Sequence, residues 1–397
     1  MISPYIWIFS LGHLIIDLGQ GFIPIITPLL AEKLNLSFFQ IGTIAFAFTF
    51  SSAIIQPIFG VLSDRFSMPW LMPAGLFLSG AGLAMTGMVN SYALLLFAVM
   101  LSGLGVAGYH PEGSKLTNLV SKEGKAGASM AIFSVGGNLG FGLGPMLAVL
   151  VLSFAGLKSV PLVIIPGLLA TGLFLILMPK FKGIIEEKFP KKKIEIDSTE
   201  KKPNSIDTNI DKASSIQFKK RYLLFLILYV TIRSWIHSGL IYFIPFYYPE
   251  YKGITNPEYL VTIFLISGVL GTLLGGPFAD RFGERQGLLV SMIISLLCVY
   301  PFVYLNSFWV PIFAFILGTF LISTFSITVV FGQKLLPNNI GLASGLVLGF
   351  GVGMGSVGVS LLGVIADILG LPIVMNILCI LPLAGIALAF TLPKRTN

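Results

Sequence analysis

The sequence is poor in charged residues. Only 11% of its 397 residues are charged and 55% are hydrophobic, whereas a soluble domain has about 25% charged residues. A chain this apolar has nowhere to put its surface in water, which excludes a water-soluble globular protein. Cysteine is also scarce. Cys298 and Cys379 lie in separate apolar stretches, so neither a disulfide framework nor a cysteine-based zinc site is indicated.

Enzyme signatures are missing as well. The sequence contains no nucleophile–base constellation, no glycine-rich nucleotide loop and no Walker sequence, so we expect neither an enzyme nor an ATP-driven machine. The net charge of +8 does not point to nucleic acid, because the basic residues fall between the apolar segments. No cofactor is implied by the residues.

Long apolar runs are what the sequence does contain. Stretches of about 20 apolar residues are long enough to cross a bilayer core, and they recur along the whole chain. We predict an all-α integral membrane protein with twelve transmembrane helices, arranged as two pseudo-symmetric six-helix bundles. The first run is too long and too polar in its middle for a cleaved signal peptide. The predicted spans are 5–30, 38–62, 70–89, 91–118, 126–153, 159–178, 221–248, 257–278, 286–305, 308–331, 340–366 and 370–391.

An internal repeat organises these spans. Gly60, Asp64 and Arg65 follow the second span, and Gly276, Asp280 and Arg281 follow the eighth with the same spacing. We therefore predict an N-terminal bundle over 1–178, a basic cytoplasmic linker over 179–220 and a C-terminal bundle over 221–397. Transporters with such repeats bind their cargo near the bilayer midplane, between the halves.

The distribution of basic residues predicts the orientation. If both termini and the linker lie inside, 21 of the 25 Lys and Arg residues fall on the cytoplasmic side and three outside. The positive-inside rule then predicts a multi-pass protein with both termini cytoplasmic. It also puts both Gly-x-x-x-Asp-Arg loops on the cytoplasmic face.

These motifs resemble the major facilitator superfamily over the whole chain. A narrower resemblance, to its fosmidomycin-resistance branch, is carried by Gly12-His13-Leu14, Asp17, Gln56 to Gly60, Tyr109 to Gly113 and Phe133 to Gly140. The resemblance implies a bacterial cytoplasmic-membrane drug exporter that uses proton antiport. Two features depart from the superfamily pattern. Phe66-Ser67-Met68-Pro69 stands where glycine and further basic residues are usual, and the fourth span lacks an arginine near Val99.

Asp17 and Arg233 are the charges that we expect within the membrane spans. An acid at the bilayer centre costs about 2.5–3.5 kcal/mol on insertion scales, which makes Asp17 a candidate proton carrier. Arg233 can clamp an oxyanion of the cargo, and it shares a helix face with His237, a second candidate cargo contact. Arg233 could pair with Asp17 when no cargo is bound. A lasting ion pair, a snorkelling arginine and a packing histidine are the structural alternatives.

Further candidate residues surround these charges. His110 and Glu112 flank Pro111 in the fourth span, and Glu112 or His110 is predicted as a second proton station; a structural role at a helix bent by Pro111 is the alternative. His13 lies four residues before Asp17 on the same helix face, and Gln20 three after it. We predict His13, Gln20 and Asn138 as cargo contacts. The spacing of the histidines and acids is not specific enough to predict a metal site.

Two groups of residues are expected to control helix packing and the closing of the cytoplasmic side rather than to contact the cargo. Gly140, Gly144 and Pro145 resemble the glycine–proline signature of superfamily antiporters, and generic packing by small residues is the alternative. The paired repeat residues are predicted to form a cytoplasmic gate, or alternatively to be topological anchors. These are Gly60, Asp64, Arg65, Gly276, Asp280 and Arg281.

The sequence thus predicts a proton-coupled exporter of a small, anionic and phosphonate-like drug or metabolite, which works by alternating access. Its partners would be the cargo, protons and the bilayer, with the proton gradient as the energy source and a monomer as the working unit. A symporter or facilitator that imports an organic anion is the main alternative. A metal transporter and a membrane sensor without transport activity are weaker ones.

Overall fold

The computed structural model describes residues 3–66, 68–122, 126–188, 209–306, 308–336 and 345–394. These residues are almost entirely helical, and none of them forms a strand. The first half contains α1 Pro4–Leu34, α2 Phe38–Thr49, α3 Gln56–Phe66, α4 Leu71–Thr86, α5 Tyr92–Leu119, α6 Ala126–Ala155 and α7 Ile164–Lys188. The second half contains α8 Asn209–Lys252, α9 Glu258–Phe282, α10 Glu284–Tyr304, α11 Val310–Leu335, α12 Gly351–Leu369 and α13 Leu371–Thr391.

The helices match the twelve predicted spans. In the described part of the chain, nine helical stretches are long and apolar enough to cross a membrane. One of them, 129–184, contains two spans, α6 and α7, which are joined by a 3-10 turn at Gly156–Val163. Two shorter apolar helices, at 71–86 and 353–369, supply the other spans. The predicted all-α membrane fold is therefore confirmed.

Local sequence explains where α1 ends and where α2 begins. Asn35 adopts a left-handed conformation and ends α1, while its N–H bonds to the carbonyl of Ala31. Two residues later Ser37 begins α2 with a capping box, in which its side chain accepts from the Gln40 N–H and the Gln40 side chain accepts from the Ser37 N–H. A tight reversal between the first two spans follows from these contacts.

The helices extend further than the predicted linker boundaries. α7 continues to Lys188, and α8 begins at Asn209. The two ends of the predicted 179–220 linker are thus continuations of the neighbouring membrane helices. The lysine-rich centre of the linker, 189–208, lies outside the described residues.

The two halves repeat the same packing pattern. In the first half α1 packs along α6 and α4 along α5; in the second half the equivalent pairs are α8 with α12 and α10 with α11. Between the halves, α2 packs on α12 and α6 packs on α9. The repeat in the sequence therefore corresponds to a repeat in space, with the interface formed by two diagonal helix pairs.

One end of this interface is closed, and we call it the sealed end. The Asp367 carboxylate at the end of α12 accepts from the backbone N–H groups of Phe38 and Phe39, at 2.7 and 2.9 Å. The Phe38 ring also contacts those of Phe243 and Phe246, with centroids 6.3 and 5.4 Å apart. A carboxylate from one half thus caps the start of a helix from the other. The opposite end, which carries Gly60 and Gly276, is called the motif end.

Two π-helical segments face each other in the interface. Phe50–Ile54 separates α2 from α3, and Gly345–Phe350 precedes α12. The two segments are in contact. They lie on the motif-end side of the α2–α12 packing and continue the contact between the two halves. Single-turn π segments are rare and are frequent at functional sites.

Candidate functional site

A cavity of about 650 Å³ lies between the two halves. It extends from residues in the middle of α1 and α6 to Gln333 in the last turn of α11, so it reaches toward the motif end. Its polar lining is mostly uncharged hydroxyl and amide groups. These belong to Gln20, Thr49, Ser52, Ser134, Asn138, Ser234, Ser238, Thr272, Ser326 and Gln333. A volume of this size accommodates a small organic molecule.

Asp17 is the acid in the cavity wall. Its side chain is buried and held by three groups. Gln20 Nε2 donates to Oδ1 at 2.7 Å, and His110 Nε2 lies 3.0 Å from the same oxygen. His13 Nε2 lies 3.2 Å from Oδ2. The carboxylate is therefore fixed by neighbours from both α1 and α5, and Asp17 and Gln20 are the members of this group that line the cavity.

His13 is held behind Asp17 rather than in the cavity wall. Its Nδ1 lies 2.8 Å from the carbonyl oxygen of Phe133 in α6. Its ring stacks on the Phe133 ring, with centroids 4.2 Å apart, and meets the His110 ring edge-on at 4.8 Å. His13 therefore contacts Asp17 and is not one of the residues that line the cavity.

The donor set of His13, Asp17 and His110 is compact. One donor atom from each lies within 4.8 Å of the others, a spacing that could admit a metal ion. The spacing in the sequence was not specific enough to predict a metal site here, since His110 is 93 residues from Asp17.

Arg233 is the buried cation of the second half. It is 1% exposed, and its guanidinium stacks 3.6 Å from the ring centroid of Phe325. Nη2 donates to the Ser234 hydroxyl at 3.1 Å, while Nε and Nη1 have no hydrogen-bond partner among the described residues. No ion pair of the described part includes Arg233. The predicted pairing with Asp17 is therefore wrong for this conformation, because Asp17 is already held by two histidines and Gln20.

His237 lines the cavity one turn beyond Arg233, which is not itself a lining residue but stacks on one, Phe325. Its ring lies among three phenylalanines, with centroids 6.0 Å from Phe141, 5.6 Å from Phe264 and 5.9 Å from Phe325. Together with Ser234 and Ser238 it lines the cavity. Rings from α6, α9 and α11 thus surround this face of α8 beside the buried guanidinium.

His110 and Glu112 contact different neighbours. His110 turns toward Asp17, while Glu112 is fully buried and accepts from the Ser63 hydroxyl of α3. Lys115 Nζ lies 3.8 Å from the Glu112 carboxylate and donates to the Ser63 carbonyl at 2.8 Å. The two side chains are two residues apart on a helix and therefore point in different directions. α5 continues through Pro111 without ending.

The predicted packing glycines lie where α6 crosses α1. A Cβ built on Gly144 would come within 2.7 Å of the Gly21 backbone, and one on Gly21 within 2.8 Å of the Pro145 ring. A Cβ on Gly140 would overlap the Leu14 carbonyl. The helices could not approach this closely with larger residues. Asn138 of the same helix lines the cavity.

The predicted gate residues stand apart at the motif end. A Cβ on Gly276 would meet nothing within 4 Å, and one on Gly60 would lie 3.9 Å from Pro111. Asp280 and Arg281 are exposed. The side chains of Asp64 and Arg65 lie outside the described atoms. The cavity between the halves extends toward this end, to Gln333, whereas the Asp367 contacts close the other, so we describe the motif end as the open one.

Sequence comparison identifies the family of this two-bundle fold. The profile of the Major Facilitator Superfamily matches residues 9–358. The chain belongs to the major facilitator superfamily. This assignment also means that the protein is a membrane transporter and not an enzyme.

Two full-length superfamily relatives are similar in sequence. The fosmidomycin resistance protein of Escherichia coli (strain K12) is 32% identical over 97% of this chain and 92% of its own length. The uncharacterized MFS-type transporter YfnC of Bacillus subtilis (strain 168) is 33% identical over 99% and 93%. The resemblance to the fosmidomycin-resistance branch is therefore confirmed.

Solved superfamily structures share the fold at low identity. A bacterial homologue of the human lysosomal transporter Spinster, in an inward-facing and unoccupied conformation, has a TM-score of 0.72 at 13% identity, covering 98% of this chain and 97% of its own. The nucleoside transporter NupG has the same TM-score and identity, with 98% of each chain covered. These similarities support the superfamily fold.

Sequence reasoning missed Asp367 and Phe325. Asp367 contacts residues 328 and 329 positions away, and Phe325 is one of 33 phenylalanines in an apolar chain. Neither has a local pattern that marks it. The signal that could have indicated Asp367 is an acid in the last turn of a span, where it can accept from the N–H groups at the start of a neighbouring helix.

Proposed function

We propose that this superfamily member is a proton-coupled exporter that expels a small anionic, phosphonate-like drug or metabolite by alternating access. The observation that carries the proposal is Arg233, a buried guanidinium whose Nε and Nη1 have no partner among the described residues. The relative named as a fosmidomycin resistance protein supports export. The protein would work as a monomer in a bacterial inner membrane.

An anionic cargo would satisfy Arg233. Removing the partner of a buried charge typically costs roughly 3–5 kcal/mol, so an unpaired cation in a protein interior favours an incoming anion. Arginine offers a planar fork that bonds two oxygens of a phosphonate, phosphate or carboxylate at once. The phenylalanines around His237 would then contact the apolar part of the cargo, and the amide and hydroxyl groups of the cavity its polar part.

The open motif end would be the cytoplasmic end. We infer this from the 21 basic residues that the predicted topology puts inside, with both termini on that side. The described state is then inward-open: cargo enters from the cytoplasm and the sealed end blocks its exit. A proton arriving from outside would bind at Asp17 once the halves have rocked, and would favour release of the anion.

Uphill transport in proteoliposomes with an imposed pH gradient tests the proposal. Asp17→Asn should abolish accumulation driven by the gradient, because an amide cannot take up and release the proton. Exchange of labelled cargo without a gradient should survive in this variant. Gradient-driven transport that is unchanged in Asp17→Asn would remove Asp17 from coupling.

Cargo recognition needs its own test. Arg233→Gln should abolish saturable binding of a phosphonate such as fosmidomycin to the purified protein. Arg285→Gln is the matched control, since Arg285 also lies over a phenylalanine ring, at 5.6 Å from Phe390, whereas Arg233 stacks on Phe325, which lines the cavity. Equal binding by both variants would contradict the assignment of Arg233.

Import of an organic anion is the second candidate. Relatives named as a probable hexose phosphate transport protein and a probable sulfoacetate transporter, each 22% identical, support an anionic cargo but not export. Counterflow measured in both directions, with drug sensitivity of cells that express or lack the protein, separates the two. Greater sensitivity in expressing cells would favour import.

A further inference from the structure

His13 is fixed by a contact that determines where its proton lies. Its Nδ1 lies 2.8 Å from the Phe133 carbonyl oxygen. A carbonyl oxygen can only accept, so Nδ1 must carry a hydrogen. Neutral imidazole has one N–H, and in the neutral ring the other nitrogen, Nε2, would therefore be bare.

That second nitrogen faces a carboxylate. His13 Nε2 lies 3.2 Å from Asp17 Oδ2. A bare nitrogen and a carboxylate oxygen are both acceptors, and their lone pairs repel each other at this distance. A proton on Nε2 converts the repulsion into an ion pair between imidazolium and carboxylate. An imidazole nitrogen is more basic than a carboxylate oxygen, so the shared proton belongs on Nε2 rather than on Oδ2.

The second carboxylate oxygen of Asp17, Oδ1, makes its hydrogen bonds without any additional proton. Oδ1 accepts from Gln20 Nε2 and from His110 Nε2. His110 can make its contact as a neutral ring with its hydrogen on Nε2. The other titratable side chain against the group, Tyr109 on α5, donates its hydroxyl to the Phe9 carbonyl at 2.7 Å. The face of α6 opposite His13 contributes a carbonyl and glycine, and no titratable group.

We propose that His13 and Asp17 form one protonation unit and that His13 Nε2, rather than the carboxyl of Asp17, holds the coupling proton in the sealed-end conformation. This inference rests on the proposed proton coupling and assigns its proton to a named atom. It also changes the predicted role of His13, from a cargo contact to the proton-holding member of the pair. Asp17 remains a carboxylate that His110 and Gln20 hold in place.

The positions of the two residues give the proton a path. Asp17 lines the cavity and His13 does not. On release, the Nε2–H bond breaks as an O–H bond forms at Asp17 Oδ2, and that bond then breaks in favour of a cavity water. Imidazole and carboxylate remain, with two acceptors facing each other. The repulsion between them makes the deprotonated unit less stable in this conformation, which is the differential needed to shift a conformational equilibrium.

The chain has three histidines, His13, His110 and His237, so the proton can be observed directly. Protein labelled with ¹⁵N-histidine, in lipid nanodiscs with a metal chelator present, gives three sets of ring signals. His110→Gln and His237→Gln assign them by elimination. At pH 7.5 we expect both ring nitrogens of His13 to be protonated, and one ring nitrogen of His110. A bare Nε2 on His13 would overturn the proposal.

Asp17→Asn supplies the second arm of this experiment. An asparagine amide can donate to Nε2, so His13 should return to a ring with one protonated nitrogen while the His237 signals stay unchanged. If His13 remains doubly protonated in Asp17→Asn, its charge does not depend on the carboxylate and the shared unit is disproved. The readout needs no gradient or cargo. A protonated His13 together with gradient-driven transport that survives Asp17→Asn would reject the proposed coupling and leave the shared proton standing.

Discussion

At the scale of single residues, the two charges predicted for the membrane interior have opposite surroundings. Asp17 is held by three polar side chains, whereas Arg233 has one hydroxyl and one aromatic face. The sequence could predict both charges, because an ionisable residue inside an apolar span is rare. It could also predict His13 beside Asp17, since the two are one helical turn apart. It could not predict His110 at Asp17, because that contact depends on how α1 and α5 pack.

Arg233→Lys separates charge from geometry. Lysine keeps the positive charge but cannot bond two oxygens in one plane, and it stacks less well on Phe325. We expect cargo affinity to fall by roughly tenfold, which corresponds to about 1.4 kcal/mol. Isothermal titration of purified protein with the phosphonate measures this. Unchanged affinity would mean that Arg233 acts only as a point charge.

Gly137→Ala tests the crowding at the His13–Asp17 pair. A Cβ at Gly137 would lie 2.7 Å from Asp17 Oδ2 and closer still to the His13 ring. Such overpacking costs roughly 1–3 kcal/mol, and we expect the pair to be pushed apart. Gradient-driven transport should fall by roughly tenfold or more, while cargo exchange without a gradient persists. Gly172→Ala is the control, since a Cβ there meets nothing within 4 Å.

At the scale of helices, hydropathy predicts the spans but not their interruptions. Each predicted span is helical over nearly all of its described residues, because twenty apolar residues in lipid have few other ways to form the hydrogen bonds of their backbone. The ends near 179 and 220 were predicted less well, since α7 and α8 continue into polar sequence that hydropathy does not mark as helix. The π segments in the second and eleventh spans leave no hydropathy signal, because they change the hydrogen-bond register and not the composition.

Asp367 should act as a latch of the sealed end. Its carboxylate accepts from two N–H groups at the start of α2 in the other half. Asparagine keeps only one acceptor oxygen, so Asp367→Asn loses one of these two hydrogen bonds at a cost of roughly 0.5–1.5 kcal/mol. The population should then shift toward a state open at that end by several-fold. Spin labels at Glu32 and Leu369, both exposed, should report more of the longer distance when the native cysteines are replaced by serine.

Glu250→Gln is the matched control for the latch, since Glu250 is an exposed acid near the end of α8 with no predicted role in the gates. It should leave the distance distribution between the two labels unchanged. A distribution that does not respond to Asp367→Asn would show that the apolar contacts around Phe38 seal this end on their own.

At the scale of the whole molecule, the sequence predicts two halves and a cavity between them, but not the state of the gates. The repeat at Gly60 and Gly276 predicts two similar halves, and the two halves of one transporter must pack against each other along an interface. The sequence is the same in every state of the transport cycle. No pattern in it can therefore show which end of the interface is open and which is sealed. In the present conformation Asp280 and Arg281 are exposed, and a Cβ at Gly276 would meet no described atom within 4 Å.

The unpaired charge of Arg233 has a consequence for how the membrane potential acts on the cycle. An exporter that expels a monoanion on Arg233 and admits one proton to His13 and Asp17 moves two positive charges inward per turn. Each charge is worth about 2.3 kcal/mol per 100 mV, so two contribute roughly 4.6 kcal/mol. We therefore expect an inside-negative potential alone, set with valinomycin and potassium, to drive efflux of labelled cargo without a pH gradient. Efflux that ignores the sign of the voltage would mean that the anion leaves with a compensating cation.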